Sequence, residues 1–157
     1  MRKRLLIALA TLAAATPALA GGAGERAYYR GDYARAARLL LQRAEAGDPT
    51  AQSFLGYQYQ YGLGVPKSYE EAAHWYHRAA DQDEPSAQFF LGLLYDRGQG
   101  IAEDPIAAEM WLDLAAAPKA KRAYWTTMRD TIAGKMTLDE LAEARRRAVG
   151  WRPLRER

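Results

Sequence analysis

The chain has 157 residues, of which 49% are hydrophobic and 26% are charged, so it can form one ordinary folded domain and is too apolar to be disordered throughout. It contains no cysteine, which excludes a disulfide framework and a lipoprotein anchor. Of its 22 basic side chains, three lie at residues 2–4, and the 19 that remain equal the 19 acidic ones. A chain balanced in this way lacks the basic excess typical of nucleic-acid-binding proteins.

The first twenty residues have the three-part pattern of a bacterial secretory signal peptide. A basic start at residues 2–4 is followed by an apolar run at 5–15, and Ala18-Leu19-Ala20 supplies small residues for cleavage after Ala20. The apolar run is shorter than the roughly 20 residues that a helix needs to span a bilayer, which argues against a membrane anchor. We therefore expect an exported protein of the periplasm or, alternatively, a secreted one.

The first helices after this segment are predicted from local signals. Residues 25–29 form a short helix that Gly31 breaks, and Asp32 is a good N-cap for a second helix over residues 33–46, which Gly47 ends. The predicted buried side of this second helix consists of Ala36, Ala37, Leu40, Leu41 and Ala44.

A repeat of 36 residues organises the middle of the chain. When residues 51–80 are aligned with residues 87–116, 12 of the 30 positions are identical. A fixed period of this length is typical of stacked helical hairpins. The identical positions of the first copy are Ala51, Gln52, Phe54, Leu55, Gly56, Tyr59, Gly62, Gly64, Ala72, Trp75, Ala79 and Ala80.

Three predicted helix caps support the same period. Asp32, Ser68 and Asp104 fall 36 residues apart, and each precedes a predicted helix. Residues 33–50 match only the second half of a unit, so we interpret them as a partial repeat before the full repeats at 51–86 and 87–117. Terminal repeats are often atypical because one of their faces has no neighbour.

Glycines recur in each unit at two kinds of position. Gly56 and Gly92 fall in the middle of first helices, where glycine costs about 1 kcal/mol relative to alanine. We therefore expect the two helices of each hairpin to approach closely there. Gly62 and Gly64 follow the helix and predict a turn with positive φ.

Taken together, these positions resemble the Sel-one-like repeat (SLR) family, which is related to the tetratricopeptide repeats. The family pattern is an Ala, a Leu-Gly, a Tyr, a Gly-x-Gly-Val turn, an Asp and an Ala…Trp…Ala-Ala second helix, and residues 51–80 and 87–116 both carry it. Ser68 stands at the Asp position of the first copy, and Ile101 stands at the Val position of the second. The resemblance implies an all-α fold, an α/α superhelical solenoid of helical hairpins, which usually serves as an adaptor for other proteins or peptides.

The period fails after Pro118. Residues 119–133 predict a helix, and a capping box at Thr137 and Glu140 opens a last helix that ends near residue 149. We interpret residues 118–157 as a pair of C-terminal capping helices with a basic tail. The predicted inward faces are Ala120, Tyr124, Met128 and Ile132 in the first helix and Leu138, Leu141, Ala142, Ala148 and Val149 in the second.

Charge is distributed unevenly along the chain. Residues 21–117 hold 8 basic and 14 acidic side chains, whereas residues 118–157 hold 11 basic and 5 acidic ones. The basic tail either contacts a membrane, an anionic polysaccharide or an acidic partner, or it is a solvated helix face suited to the negative end of the helix dipole. Glu143 and Glu156 dilute the positive charge and favour the second interpretation. Its arginines are Arg145, Arg146, Arg147, Arg152, Arg155 and Arg157.

No catalytic motif is present in the sequence. There is no Gly-x-Ser-x-Gly and no cysteine nucleophile, and both Gly-x-Gly turns follow helices rather than strands, which excludes a nucleotide-binding fingerprint. His74 and His77, with Glu70 and Asp81, have spacings that bring side chains together on a helix, but Trp75 marks the opposite side as buried, so we favour a solvated face over a metal site. We expect no enzyme, no cofactor and no metal.

Side chains that break the repeat on the first helices are the candidates for partner binding. In such solenoids the first helix of each hairpin lines the concave surface. Tyr57, Tyr61, Phe89, Leu93 and Arg97 occupy this side, and aromatic and arginine side chains are common anchors of binding hot spots. The alternative is that Phe89 and Leu93 pack against a neighbouring hairpin.

From these features we predict a non-catalytic adaptor or scaffold of the bacterial envelope that binds a segment of another protein or a peptide on its concave face. The alternative is a secreted effector or envelope-stress component that acts on a host or surface target. Neither prediction includes a nucleic-acid partner.

Overall fold

The computed structural model describes residues 21–117 and 123–154, and the predicted signal peptide at residues 1–20 lies outside them. Within those ranges every regular element is an α-helix, and each helix packs chiefly against its neighbours in sequence. One continuous core cluster extends from Ala27 near the start to Ile132 near the end. The predicted all-α solenoid of helical hairpins is therefore confirmed.

Helices α1 (Ala23–Tyr29) and α2 (Tyr33–Glu45) form the first hairpin. The Asp32 carboxylate accepts the backbone N–H of Arg35, which confirms the predicted cap. A buried ion pair joins the two helices, because Arg43 Nη1 lies 2.6 Å from Oε1 of Glu25, a residue that is only 4% exposed. Leu41 was predicted to face inward and instead lies at the surface, where it lines a shallow cleft.

Helices α3 (Pro49–Tyr61) and α4 (Tyr69–Ala80) form the second hairpin, and α5 (Pro85–Arg97) and α6 (Pro105–Ala115) form the third. Both second helices begin at the predicted caps. The Ser68 hydroxyl accepts the N–H of Glu71 at 3.1 Å, and the Asp104 carboxylate accepts the N–H of Ala107 at 3.0 Å. Helix α3 contacts α1, α2, α4 and α5, and consequently nearly its whole surface is buried.

The mid-helix glycines lie where the two helices of each hairpin meet, as predicted. A Cβ on Gly56 would come 2.7 Å from the ring of Tyr76 in α4, and a Cβ on Gly92 would come 2.8 Å from Leu112 in α6. Real side chains do not tolerate such distances, so only glycine permits these two close approaches.

The second glycine of each turn joins successive hairpins. Gly64 and Gly100 have φ values of +73° and +70°, and a Cβ at either position would overlap backbone atoms at the start of the preceding second helix. Gly64 lies against Tyr33 of α2, and Gly100 lies against Tyr69 of α4. The turn therefore needs glycine for its conformation and also for the space it occupies.

A repeated glutamine caps the preceding hairpin. Gln52 Nε2 donates to the carbonyl of Ala44 at 3.0 Å, and Gln88 Nε2 donates to the carbonyl of Ala80 at 3.3 Å. Both glutamines are fully buried, and each gives a second donor to a carbonyl at the end of a second helix. The first donor is a backbone N–H of the following turn, that of Gly47 for Ala44 and that of Asp83 for Ala80.

Helices α7 (Ala123–Ala133) and α8 (Leu138–Gly150) both pack against α6 and hardly contact each other, so they do not form a hairpin of the repeat type. The capping box that opens α8 is confirmed in both directions between Thr137 and Glu140. The predicted inward face of α8 is wrong in part. The helix rests on α6 through Ala144 and Ala148, while Leu138 and Val149 are 86% and 78% exposed.

The predicted face of α7 also needs correction. Trp125 and Ile132 are its buried side chains, whereas Tyr124 is 63% exposed. The first part of the predicted helix, residues 119–122 with Ala120, lies outside the described residues. After α8 the chain turns back along the solenoid, where Trp151 packs edge-on against Trp111 and the N–H of Leu154 donates to the carbonyl of Asp81.

None of the helices in residues 21–117 and 123–154 combines the length and apolar character required to cross a bilayer.

Candidate interaction surface

The structure divides the five predicted partner-binding residues into two groups. Tyr57, Phe89 and Leu93 are buried, with exposed fractions of 3%, 2% and 6%. Tyr61 is half-buried, and Arg97 is exposed. Only these last two present the accessible surface that a partner requires.

Aromatic packing between successive first helices explains the burial. The Tyr57 ring lies 5.5 Å from that of Phe90 on α5, and Phe89 stacks on Trp125 of α7 with ring centroids 4.8 Å apart and an interplanar angle of 10°. Tyr28 of α1 continues the series through an edge contact with Phe54 at 5.2 Å. We call this set (Tyr28, Phe54, Tyr57, Phe89, Phe90 and Trp125) the aromatic seam.

Tyr57, Phe89 and Leu93 were predicted to bind a partner, and their burial corrects that prediction. Phe89 packs against the following helix, which is the alternative that the sequence left open, and Tyr57 does the same. Burial raises the pKa of the Tyr57 hydroxyl well above its usual range, because the phenolate cannot be solvated there. These side chains stabilise the solenoid from within and are closed to a partner.

An exposed group borders the seam. It consists of Tyr61 at the end of α3, Arg97 at the end of α5 and Tyr124 at the start of α7, and we call it the rim. The Tyr61 ring lies 4.3 Å from that of Tyr57, and the Tyr124 ring lies 5.9 Å from that of Phe89. The buried seam thus holds both rim tyrosines from below.

The rim is aromatic and positively charged. Arg97 forms no ion pair with another described residue, and its charge acts on the Tyr61 hydroxyl. Burial raises the pKa of Tyr61, Arg97 opposes that shift, and the other groups acting on Tyr61 are the tyrosines Tyr69 and Tyr124. Next to them, Lys67 lies over the Tyr69 ring with its Nζ 4.7 Å from the centroid. An unpaired guanidinium among tyrosines has the composition of a binding hot spot.

The sequence did not identify Tyr124 as a candidate for partner binding or Trp125 as a buried side chain. A signal for Trp125 existed, since it lies 36 residues after Phe89 and therefore occupies the same position of the next first helix. Tyr124 lies 36 residues after Gln88, so it replaces the glutamine that caps a second helix in the two earlier units. Unlike those buried glutamines, Tyr124 is 63% exposed.

The two histidines have different surroundings. His77 lies with Nδ1 3.3 Å from an Asp81 carboxylate oxygen and Nε2 3.3 Å from the Tyr95 hydroxyl, whereas His74 is exposed and lies edge-on to Trp75. Residues 21–117 and 123–154 contain no group of three or more His, Cys, Asp or Glu side chains arranged to hold a metal ion.

A buried carboxyl group lies where α7 and α8 meet α6. Glu109 is 2% exposed, and its Oε2 makes no hydrogen bond with the described residues. Burial and the neighbouring Asp113 raise its pKa to about 7, against the opposing charges of Arg129 and Arg145. The equivalent residues of the earlier units are the buried alanines Ala37 and Ala73.

Two small clefts lie on the surface of the described residues. One of about 210 Å³ lies between α2, α3 and the turn after α3, lined in part by Arg38, Leu41 and Tyr59. The other, of about 280 Å³, lies between Asp96, Lys135 and Glu140. Small-molecule sites are usually clefts of roughly 300–1,000 Å³, and both of these are smaller.

Comparisons with known proteins agree with this architecture. A family model described as Sel1 repeat matches residues 49–84 and 85–117. A comparison with curated proteins found no match.

Two solved structures are similar to the chain. One is a protective antigen present in uropathogenic Escherichia coli strains that displays an SLR fold, with 29% identity, a TM-score of 0.74 and coverage of 79% of this chain and 27% of that one. The other is a Sel1 repeat protein from Oxalobacter formigenes, with 31% identity, a TM-score of 0.65 and coverage of 82% of this chain and 54% of that one. The chain thus spans about a quarter and about half of their lengths.

Sel1 repeats generally mediate protein–protein interactions, and the SLR fold is typically a non-catalytic scaffold. The in-register caps, the glycines at hairpin contacts and the SLR-fold neighbours agree with the family match. The chain therefore contains two Sel1 repeats, at residues 49–84 and 85–117.

Proposed function

We propose that the chain is a non-catalytic adaptor that binds a segment of another protein through the rim of Tyr61, Arg97 and Tyr124, on the side of the first helices that lines the concave face in such solenoids. The supporting observation is that these are accessible aromatic and cationic side chains held on a buried aromatic seam. A rim fixed from below loses little side-chain entropy on binding, which favours affinity.

The rim differs from the five residues expected from the sequence. The rim includes Tyr61 and Arg97 from that set and adds Tyr124. The other three, Tyr57, Phe89 and Leu93, are buried and stabilise the solenoid. Substituting a supporting residue would remove binding by destabilising the solenoid, so a test of function must use the rim.

A matched pair of double variants tests the proposal. Tyr61→Ala/Arg97→Ala removes a tyrosine and an arginine from the rim, and Tyr59→Ala/Arg38→Ala removes the same two residue types from the opposite cleft. The tagged protein is used to capture proteins from envelope extracts, followed by quantitative mass spectrometry and reconstitution with the purified partner. We expect the rim variant to bind that partner at least about tenfold more weakly, as hot-spot truncation typically does. Equal binding by the two variants would reject the rim.

The cellular location is part of the proposal. The predicted signal peptide at residues 1–20 supports export, and we propose the bacterial envelope, with the periplasm as the compartment. Cell fractionation tests this, because the periplasmic fraction should contain the mature protein starting after Ala20. Its accumulation in the culture medium would instead support a secreted effector or envelope-stress component acting on a host or surface target. The likeness to a protective antigen of uropathogenic strains favours keeping that second candidate.

A further inference from the structure

The most exposed apolar side chains of the described chain lie near its C-terminus. Leu138, Val149 and Leu154 are 86%, 78% and 64% exposed, whereas the exposed large apolar side chains of the repeat body, Tyr29 and Leu41, reach only 37% and 36%. Isolated exposed leucines are ordinary, but three with this degree of exposure within 17 residues form a feature of the surface.

Leu138 and Val149 share one face of α8. They are separated by 11 residues, which is about 20° of rotation and about 16 Å along an α-helix. Arg145 falls on the same face between them at helical spacing and is exposed. Helix α8 therefore has apolar side chains on two sides. The small residues Ala144 and Ala148 rest on α6, and the larger Leu138 and Val149 lie in solvent.

The same segment is strongly basic. Residues 143–154 contain four arginines and one acidic residue, Glu143, which gives a net charge of +3. Glu143 pairs with both Arg146 and Arg147, so this cluster alone retains one positive charge. Arg152 donates to the carbonyls of Val149 and Trp151, which are uncharged partners, and it forms no ion pair within residues 21–117 and 123–154. The helix end is also fixed in place, since Trp151 packs on Trp111.

We propose that this C-terminal patch, formed by Arg145, Arg146, Val149, Arg152 and Leu154, binds the surface of an anionic lipid bilayer. Exposed aliphatic side chains interleaved with arginines are what an interfacial helix presents to a membrane. The aliphatic groups enter the boundary between head groups and acyl chains, and the guanidinium groups pair with lipid phosphates.

The aliphatic side chains distinguish a membrane from other anionic occupants. An anionic polysaccharide or an acidic protein surface would account for the arginines and leave Val149 and Leu154 without a role. A second copy of the chain would account for the aliphatic groups and place like charges against each other, which opposes association. An anionic bilayer accommodates both features.

Vesicle co-sedimentation of the mature protein tests the proposal. The probes are vesicles of phosphatidylglycerol mixed with phosphatidylethanolamine and, for comparison, vesicles of phosphatidylcholine alone. We expect binding to the anionic vesicles only, and we expect it to be lost as sodium chloride is raised to about 1 M, where the Debye length is about 3 Å.

Two pairs of variants separate insertion from charge. Val149→Asn/Leu154→Asn, which removes the aliphatic groups without changing the net charge, should weaken vesicle binding by about tenfold or more, whereas Leu41→Asn on the repeat body should not. Arg146→Gln/Arg152→Gln should weaken it by roughly an order of magnitude, whereas Arg35→Gln/Arg38→Gln, with the same change in net charge, should leave it unchanged. All these sites are exposed, so the variants should keep the wild-type circular dichroism spectrum and melting temperature.

Three outcomes would overturn the proposal. The first is absence of binding to the anionic vesicles. The second is vesicle binding that Val149→Asn/Leu154→Asn leaves unchanged, or binding to dextran sulfate as strong as that to the anionic vesicles, because either result would leave the aliphatic groups without a role. The third is a concentration-dependent rise in molar mass by light scattering that this variant abolishes, which would assign the patch to a second copy.

Discussion

In residues 49–117, four helices pair as two hairpins and bury almost the whole surface of each first helix, whereas α7 and α8 in residues 123–154 lie separately on α6 and leave large side chains in solvent. The difference begins at single positions of the period. Where α3 and α5 have Gln52 and Gln88, α7 has Tyr124, and where α2 and α4 have Ala37 and Ala73, α6 has Glu109.

These replacements show what the repeat requires of its residues. Gln88 donates to a carbonyl at the end of α4, and Ala73 is buried in the core. The equivalent positions of α7 and α6 carry an exposed ring, Tyr124, and a buried carboxyl group, Glu109. The periodic region supplies rigidity, and the candidate binding residues lie where the period breaks.

The largest change in stability is expected from a substitution where the two regions meet, at the contact between α5 and α7. Phe89→Ala removes a side chain that is 2% exposed and stacks on Trp125, so it should lower the free energy of unfolding by about 3–5 kcal/mol. Tyr124→Ala, next to Trp125 and mostly exposed, should change it by less than about 0.5 kcal/mol. Urea denaturation measures both. Similar small losses for the two variants would show that the seam is not the support described here.

The next effect depends on pH and concerns a buried carboxyl group of α6, the helix on which α7 and α8 rest. Burial raises the pKa of Glu109 from its ordinary value of 4.5 to about 7 in the folded state, so the folded protein retains a proton that the unfolded chain releases. Stability should therefore be greatest below pH 4.5 as far as this group is concerned, and it should fall as pH rises toward 7. Glu109→Gln removes this penalty and should stabilise the protein by about 3 kcal/mol at pH 8, with little effect at pH 4.

Thermal unfolding across this pH range measures the Glu109 effect, and Glu143→Gln is the matched control. Glu143 lies on α8 with its pKa lowered by hydrogen bonds from Arg147 and Arg146, so its removal should not flatten the fall in stability between pH 4.5 and 7. If Glu109→Gln keeps the wild-type dependence on pH, the buried carboxyl is not the cause.

A smaller difference in stability is expected between alanine substitutions at two glycines of the same turn. Gly98 and Gly100 both have positive φ, so alanine costs about 1–2 kcal/mol at either position. At Gly100 the added Cβ would also come 2.2 Å from backbone atoms of Tyr69, whereas at Gly98 the nearest atom is a side-chain carbon of Glu103 at 3.4 Å. Gly100→Ala should therefore be the more destabilising by at least about 1 kcal/mol in chemical denaturation. Equal losses would mean that contact between hairpins does not constrain this position.

The sequence was sufficient wherever local chemistry determines the structure. Asp32, Ser68 and Asp104 cap their helices as predicted, and Gly56 and Gly92 lie at the predicted helix contacts. Each of these roles depends on a residue type and a spacing that the 36-residue period displays more than once. The family and the solenoid could be recognised for the same reason.

The exposure of the candidate site could not be read from the sequence. A helix packed on several sides is apolar all round. The sequence pattern around Tyr57 and Phe89 is therefore the same whether these side chains line an accessible groove or a buried seam. On α8, hydrophobicity favoured Leu138 and Val149 as the inner face, but α6 is close enough to accept only the small side chains of Ala144 and Ala148. On α7, the ring of Phe89 one period earlier determines that Trp125, and not Tyr124, turns inward.

Chemical modification of tyrosines tests the central claim, the division between a buried seam and an accessible rim, most directly. Brief nitration of the folded protein with tetranitromethane, followed by peptide mass spectrometry, compares all sites in one sample. We expect Tyr124 to react first and Tyr29 and then Tyr61 to follow, while Tyr57 and the fully buried Tyr76 stay unmodified until the protein is denatured. Modification of Tyr57 in the folded protein as fast as that of Tyr124 would contradict the account.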